Sequence, residues 1–365
     1  MDSVGSARAA VVGGGIFGIT AAVQLARAGH RVDLFEQSAE LLSGASFGNQ
    51  RRLHRGYHYP RGMETASAAL RAVKAFEAEY PGAVHETCAH YVAISKRDSL
   101  VSAEQYMDFC AAAGLRFREE YPSFIRRSSV DICLRIAESL IDVDRLRGEC
   151  RGKLASAGVD VRLRTRADRR ILSGYDLVVL ATYADLNRLR IELGHGPQVF
   201  QFEVCEKPVA RLPDEYRNTS LVIMDGPFMC VDPVAGSPDF LLGNVDHAIV
   251  ASTVGYFPLI PRSVARHVHS GVVIKPKPSR FDDFVGSAKE FLVGFDQAIH
   301  RGSIFTIRTV LPHMEATDDR PTLVRSLDER TFVIFGGKIT TCVEAAHELA
   351  AQISTRSRSA LPVPR

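Results

Sequence analysis

A strand, a glycine turn and a helix succeed one another within residues 9–36, and nothing else in the chain restricts its fold so strongly. Ala9-Ala10-Val11-Val12 is an apolar run of the kind buried in a parallel sheet, and Gly13-Gly14-Gly15-Ile16-Phe17-Gly18 follows at once as G-x-G-x-x-G. From Ile19 to Ala28 apolar residues recur at helical spacing, Gly29 supplies a stop, and Arg31 to Glu36 reads as a second strand. In this βαβ start Gly13 permits the tight turn, Gly15 lets backbone come against a pyrophosphate, and Gly18 lets the helix pack close to the strand. Unpaired N–H groups and the positive dipole end of the helix favour phosphate there. Glu36, 18 residues past Gly18, stands where a carboxylate accepts both ribose hydroxyls of an adenosine and repels a 2′-phosphate. The segment specifies a dinucleotide site.

At 365 residues the chain is long enough for two domains, at roughly 150 residues each. Its 45 basic and 42 acidic residues leave a net charge of +3, without the excess that nucleic acid or an anionic membrane would call for. The N-terminus runs straight into the first strand, and no apolar stretch reaches the ~18 residues of a membrane span, so a cytoplasmic protein without a signal peptide or integral membrane segment is expected. The seven cysteines form no CxxC and no Cys/His cluster at zinc spacing; reduced thiols and no metal are expected.

Along the chain, residues 65–80, 103–113 and 144–157 read as helices, residues 91–95 as a strand, residues 159–165 as a strand of period two, and residues 175–182 as a buried parallel strand. From Gln201 to Ile307 short strands alternate with Pro, Gly and Asp, the texture of an antiparallel sheet. Tight turns account for Asp225-Gly226-Pro227 and Asp232-Pro233, and His247 reads as a core or surface histidine. A last apolar strand, Thr331 to Phe335, leads into Gly336-Gly337-Lys338-Ile339-Thr340-Thr341 and a helix from Cys342 to Ile353; the tail from Ser354 reads as solvated and poorly ordered. The predicted class is α/β plus antiparallel β. Residues 1–85, 140–195 and 315–365 assemble a discontinuous Rossmann-type domain, and residues 86–139 and 196–314 form a mainly antiparallel substrate domain.

These features together resemble the D-amino-acid oxidase superfamily of FAD-dependent oxidoreductases, which includes glycine oxidase, sarcosine oxidase and FAD-linked glycerol-3-phosphate dehydrogenase. The resemblance covers nearly the whole chain: the N-terminal motif with Glu36, Ser46 and the block Leu53 to Tyr59, the strand Leu177 to Thr182, and a terminal hexamer similar to the GGKLTT of glycerol-3-phosphate dehydrogenases. It implies FAD held by Gly13, Gly15, Ile16, Phe17 and Gly18, by Glu36 and Gln37, and by Ser46, Arg52 and Leu53. Ala181 and Thr182 are implied further along, and Gly336, Gly337, Lys338, Ile339 and Thr340 at the flavin pyrimidine, where a helix N-terminus stabilises the reduced ring. Two departures stand out. Ala181-Thr182-Tyr183 replaces the family's frequent Ala-Thr-Gly, and Cys342 lacks the context of the sarcosine oxidase flavin attachment, so FAD is expected to be non-covalent.

The resemblance implies hydride transfer from the carbon bearing N or O of a small amino acid, amine or hydroxy acid to flavin N5, with O₂ or another acceptor reoxidising the flavin. Arg308, in an Arg-x-x-x-Pro setting, is the leading clamp for an anionic substrate group, because a guanidinium fork grips a carboxylate by two parallel hydrogen bonds. Arg52, His54, Arg55, His58 and Tyr59 form a second cluster, in which imidazoles among arginines have lowered proton affinity and suit a base. A flavin monooxygenase is the alternative, and a flavin-binding RNA-associated protein a weaker one that the near-neutral charge disfavours.

Overall fold

The computed structural model describes residues 6–86, 88–226, 228–312 and 320–359. Its first sheet is built from three distant stretches of chain. The order is Leu323–Ser326, Thr331–Phe335, Leu177–Leu180, Arg8–Val12, Arg31–Phe35, Asp160–Arg162, parallel except for the antiparallel edge pair at Leu323–Ser326. Val11 and Val179, both fully buried, sit side by side at its centre. Helices Ile16–Arg27 and Cys342–Ser359 pack against one another over this sheet and share one core with Leu34, Phe332 and Ile334. Leaders and followers of the central strands are thereby set side by side at its carboxyl edge, the place where open α/β sheets bind ligands.

A second, ten-stranded sheet carries the long neighbours Phe200–Arg211 and Ile299–Val310, paired antiparallel from Gln201 opposite Val310 to Arg211 opposite Ile299. It is antiparallel apart from the parallel pair Ala89–Ser95 and Thr219–Met224. The strand expected over 159–165 is only Asp160–Arg162, because the chain turns at Arg164, which takes a φ of 52°. Strand Met229–Pro233 runs through Asp232-Pro233, so that aspartate is not a turn residue. The terminal helix also exceeds expectation and continues to Ser359: no glycine or proline intervenes, and Ser354 and Thr355 hydroxyls bond back to the Ala350 and Ala351 carbonyls. Pro227 and the tail from residue 360 lie outside the described residues, as does the expected boundary at 315.

A three-stranded sheet, Arg52–Leu53, Ser139–Ile141 and Val84–His85, joins the two larger ones. Here the sequence reading of Arg52 is corrected. Its side chain is 1% exposed, with Nε donating to Asp232 Oδ1 at 2.7 Å and Nη1 to Glu138 Oε2 at 3.2 Å, while Nη2 donates to Ser220 Oγ. A guanidinium so consumed serves neither catalysis nor FAD, and Leu53, fully buried beside it, belongs to the core.

No helix among the described residues is long and apolar enough to cross a membrane. Arg52→Ala leaves two buried carboxylates without their cation, a loss of about 3–5 kcal/mol. The thermal midpoint should fall by several degrees, and an unchanged midpoint would show that the network contributes nothing to stability.

Candidate functional site: the cofactor cleft and the histidine pair

The cleft at the carboxyl edge of the first sheet has a volume of about 600 Å³ and runs from Glu36 and Gln37 past Ser46 to Gly336–Ile339. Gly13 takes a φ of 114°, and a Cβ there would stand 2.5 Å from the Ala181 carbonyl oxygen. A Cβ on Gly18 would lie 1.9 Å from the Gly13 carbonyl oxygen, so helix and strand meet only because it is absent. Gly15 is different. Its Cβ would meet nothing of the protein closer than Ser46 Oγ at 3.3 Å, and it begins the helix with no side-chain cap. The protein leaves that space at the helix start to an occupant, as a pyrophosphate requires.

Glu36 is oriented at both oxygens: Gly14 N donates to one and Ser38 N to the other, each at 2.7 Å. Every carboxylate oxygen keeps a lone pair for a ribose hydroxyl. Gly14, an unremarked member of the motif, is needed for this, since a Cβ on it would lie 2.8 Å from Glu36 Oε2. Ser46 Oγ accepts from Ile16 N at 3.1 Å and so marks the phosphate position at the helix start. His269 also lines the cleft near Glu36; no sequence signal pointed to it.

At the middle wall Thr182 presents a buried Oγ1 with no partner in the protein, the kind of orphan that a ribityl hydroxyl or phosphate satisfies. Tyr183 stands where the family has glycine, and it adopts glycine's conformation, with φ 52°. That geometry costs a non-glycine residue roughly 1–2 kcal/mol. It is held by Thr309 N donating to the phenolic oxygen at 2.9 Å and by stacking on Phe335.

The far end is equally tight. A Cβ on Gly336 would stand 2.2 Å from the Phe17 ring, and one on Gly337 would stand 1.9 Å from the Arg320 carbonyl oxygen. Lys338 and Ile339 line the cleft, whereas Thr340 is buried behind it. The Lys338 ammonium sits 3.7 Å from the centre of the Tyr59 ring, so both are positioned rather than solvated. Buried Cys342 lies among Thr20, Tyr80 and Cys150 on the core side of the last helix, and burial pushes its thiol up to about 12. A neutral thiol facing the core is not an attachment point.

Beside Lys338 the two imidazoles come together, Nδ1 to Nδ1 at 3.2 Å, with His58 Nδ1 3.7 Å from Glu138 Oε1. Burial, the neighbouring His58, Arg52 and Lys338 hold His54 well below the usual histidine range, against the opposing pull of Glu138. His54 is therefore a neutral imidazole at physiological pH. The three donor atoms lie within 4.8 Å of one another, but Glu138 is already bonded by Arg52 and by Arg55 N, and Lys338 adds positive charge, so the surroundings disfavour a divalent cation.

Arg308 does not join this cluster and does not line the cleft. It stands opposite Glu203 in the long-strand pair, and its Nε donates to that buried carboxylate, so its charge is already matched. That bond engages one edge of the guanidinium that the sequence reading assigned to a two-point clamp. Arg55 likewise pairs with Glu77, and His247 packs on Phe284 away from the cleft. Sequence reasoning missed Lys207, whose buried ammonium donates to Gln50 Oε1 at 2.9 Å and has its proton affinity lowered by burial. The signal was present: Glu203, Cys205 and Lys207 alternate along one strand face amid apolar residues.

The glycine cradle, the oriented Glu36, the orphaned Thr182 hydroxyl and the positive end of the last helix fit FAD. Two predictions check this. Gly15→Val should give folded but colourless protein, and recovery of stoichiometric yellow protein would refute the pyrophosphate position. Acid precipitation of the wild type should release all flavin to the supernatant; colour kept by the pellet and lost in Cys342→Ser would refute non-covalent binding.

Comparison with known proteins agrees with this fit. The family model for FAD dependent oxidoreductases (DAO) matches residues 8–352. The FAD-dependent monooxygenase FPY4 of Fusarium mangiferae is 28% identical over 362 residues, covering 95% of this chain and 91% of that protein. The FAD-dependent monooxygenase kojA of Aspergillus flavus is 27% identical over 397 residues, covering 96% and 86%. Glycine oxidase from Geobacillus kaustophilus superposes with a TM-score of 0.67 at 18% identity over 99% of this chain and 96% of its own. L-proline dehydrogenase from P. horikoshii superposes with a TM-score of 0.69 at 12% identity over 96% and 94%. With a family model matched across nearly its whole length and the cradle that cofactor requires, the chain belongs to the DAO family of FAD-dependent oxidoreductases.

Proposed function

We propose that the protein oxidises a small anionic amino acid, amine or hydroxy acid at the carbon bearing nitrogen or oxygen. The observation that carries this reading is a fixed cation, Lys338, on the wall of the cleft and stacked on Tyr59, close enough to His54 to help lower that imidazole's proton affinity. Bound FAD supplies the acceptor for a hydride from that carbon. Lys338 holds a carboxylate or phosphate of the donor, and His54 accepts the proton from its nitrogen or oxygen. Oxygen or another small acceptor reoxidises the flavin, and a cytoplasmic setting accords with free thiols at the described cysteines.

Anaerobic mixing with a panel of amino acids, amines and hydroxy acids tests the reading by loss of the flavin's visible absorbance. The two fungal relatives named as monooxygenases favour a second reading, in which a nicotinamide cofactor reduces the flavin and oxygen is inserted into the substrate. Bleaching by NADH or NADPH alone, with no response to any donor, would favour that reading. For an anionic donor, Lys338→Met should weaken binding roughly tenfold to a hundredfold, the equivalent of one charge-assisted hydrogen bond of about 1.5–3 kcal/mol. A neutral amine should be used as before, and an equal loss for both would remove Lys338 from anion recognition.

A further inference from the structure

Two Nδ1 atoms 3.2 Å apart make a hydrogen bond only when one of them carries the proton, so His54 and His58 share a single proton between them. Their loop, residues 54–58, is held over Glu138, which immediately precedes strand Ser139–Ile141. Glu138 is fixed from both sides: Arg52 Nη1 donates to Oε2 and Arg55 N to Oε1, each at 3.2 Å, and its side chain is wholly buried.

We propose that His54, His58 and Glu138 form a proton-holding site in which Glu138 is the positioning residue and counter-ion. This rests on the reading of the protein as a donor-oxidising enzyme. With FAD bound to accept the hydride from the substrate carbon, the adjacent O–H or N–H bond would give its proton to His54 Nε2 as the C=O or C=N bond forms. The His54 Nδ1 proton passes to His58 Nδ1. The positive charge thus comes to rest 3.7 Å from Glu138 Oε1 instead of beside Lys338. At His54, burial, His58, Arg52 and Lys338 together outweigh Glu138, and the carboxylate becomes decisive once a proton arrives. Burial pushes Glu138 up, but His58, His54 and Arg52 prevail and keep it ionised. The other titratable groups around it are the Tyr57 hydroxyl, bonded by Ala137 N, and His90 on strand Ala89–Ser95, itself held near 4 by burial and Arg52.

The test is a nitrogen-15 NMR titration of the histidines in the FAD-loaded protein, with Glu138→Gln as the variant, because glutamine still offers Arg52 an acceptor. Loss of the counter-ion should lower the pair's proton affinity at least about tenfold, the usual effect of an opposite charge at this distance. Glu120→Gln, a surface carboxylate paired with Arg118 and Arg135, serves as control and should change nothing. A titration in Glu138→Gln that matches the wild type overturns the proposal. Should that variant fail to fold, His58→Gln replaces it: the coupled two-step titration of His54 should collapse to a single step, and an unaltered His54 titration overturns the shared proton. With a donor that bleaches the flavin, the acid limb of the pH–rate profile should move down with the NMR value in Glu138→Gln, and a stationary limb overturns the catalytic role. A wild-type flavin that no donor bleaches overturns the donor reading alone, because the nitrogen titration still decides the pair.

Discussion

One buried guanidinium holds the functional half of the molecule together. Arg52 sits on the smallest sheet, Glu138 just before the neighbouring strand of that sheet and Asp232 on the ten-stranded sheet, so a single cation ties together elements nearly two hundred residues apart in sequence. Such a group is tolerable in the interior only because both carboxylates and Ser220 satisfy its donors. The tie extends further. Lys207 reaches Gln50, Gln50 Nε2 donates to Asp232 at 2.8 Å, and beyond Arg52 come Glu138 and the histidines. Charge placed at one end of this chain is felt along it, since an interior of low polarisability screens poorly.

The cleft is organised by opposite means. One end is a matter of backbone, with a glycine turn, a helix start and one oriented carboxylate, while the other is a matter of side chains set against a second glycine turn. Two helices begin at these two ends, and both present their positive termini to the same cavity. A dinucleotide with anionic phosphates and a ring that gains negative charge on reduction suits both.

Much of this was legible in the sequence where local rules govern. The order of strand, glycine turn and helix forces the first sheet, and Glu36 follows from its distance to Gly18. The antiparallel texture after residue 201 is equally local. What escaped was the partnership of charges. Arg52 and Arg308 look alike in one dimension, each an arginine with no acidic residue beside it in the sequence. Only the pairing of strands shows that Glu203 stands opposite Arg308 and that Asp232 and Glu138 enclose Arg52. Asp232-Pro233 reads as a turn because nothing local reveals a buried cation waiting for that aspartate. Tyr183 is the converse: a residue type that argues against the family's backbone keeps it all the same, since Thr309 and Phe335, more than a hundred residues on, supply what glycine would have made unnecessary.

Gly15 carries a last consequence. Its missing Cβ relieves no clash of any weight within the protein, so the chain bears glycine's conformational freedom there for the sake of a guest. The walls that guest touches include the N-terminal stretch, residues 165–188, residues 257–269 and the turn before the last helix, parts of the chain far apart in sequence. A ligand that bridges them acts as a fastener, and it stabilises the folded form in proportion to the logarithm of its free concentration over its dissociation constant. Cellular flavin supply therefore sets more than the fraction of working enzyme. It also governs how often the cleft edge opens, and with it how long each molecule survives the proteases around it.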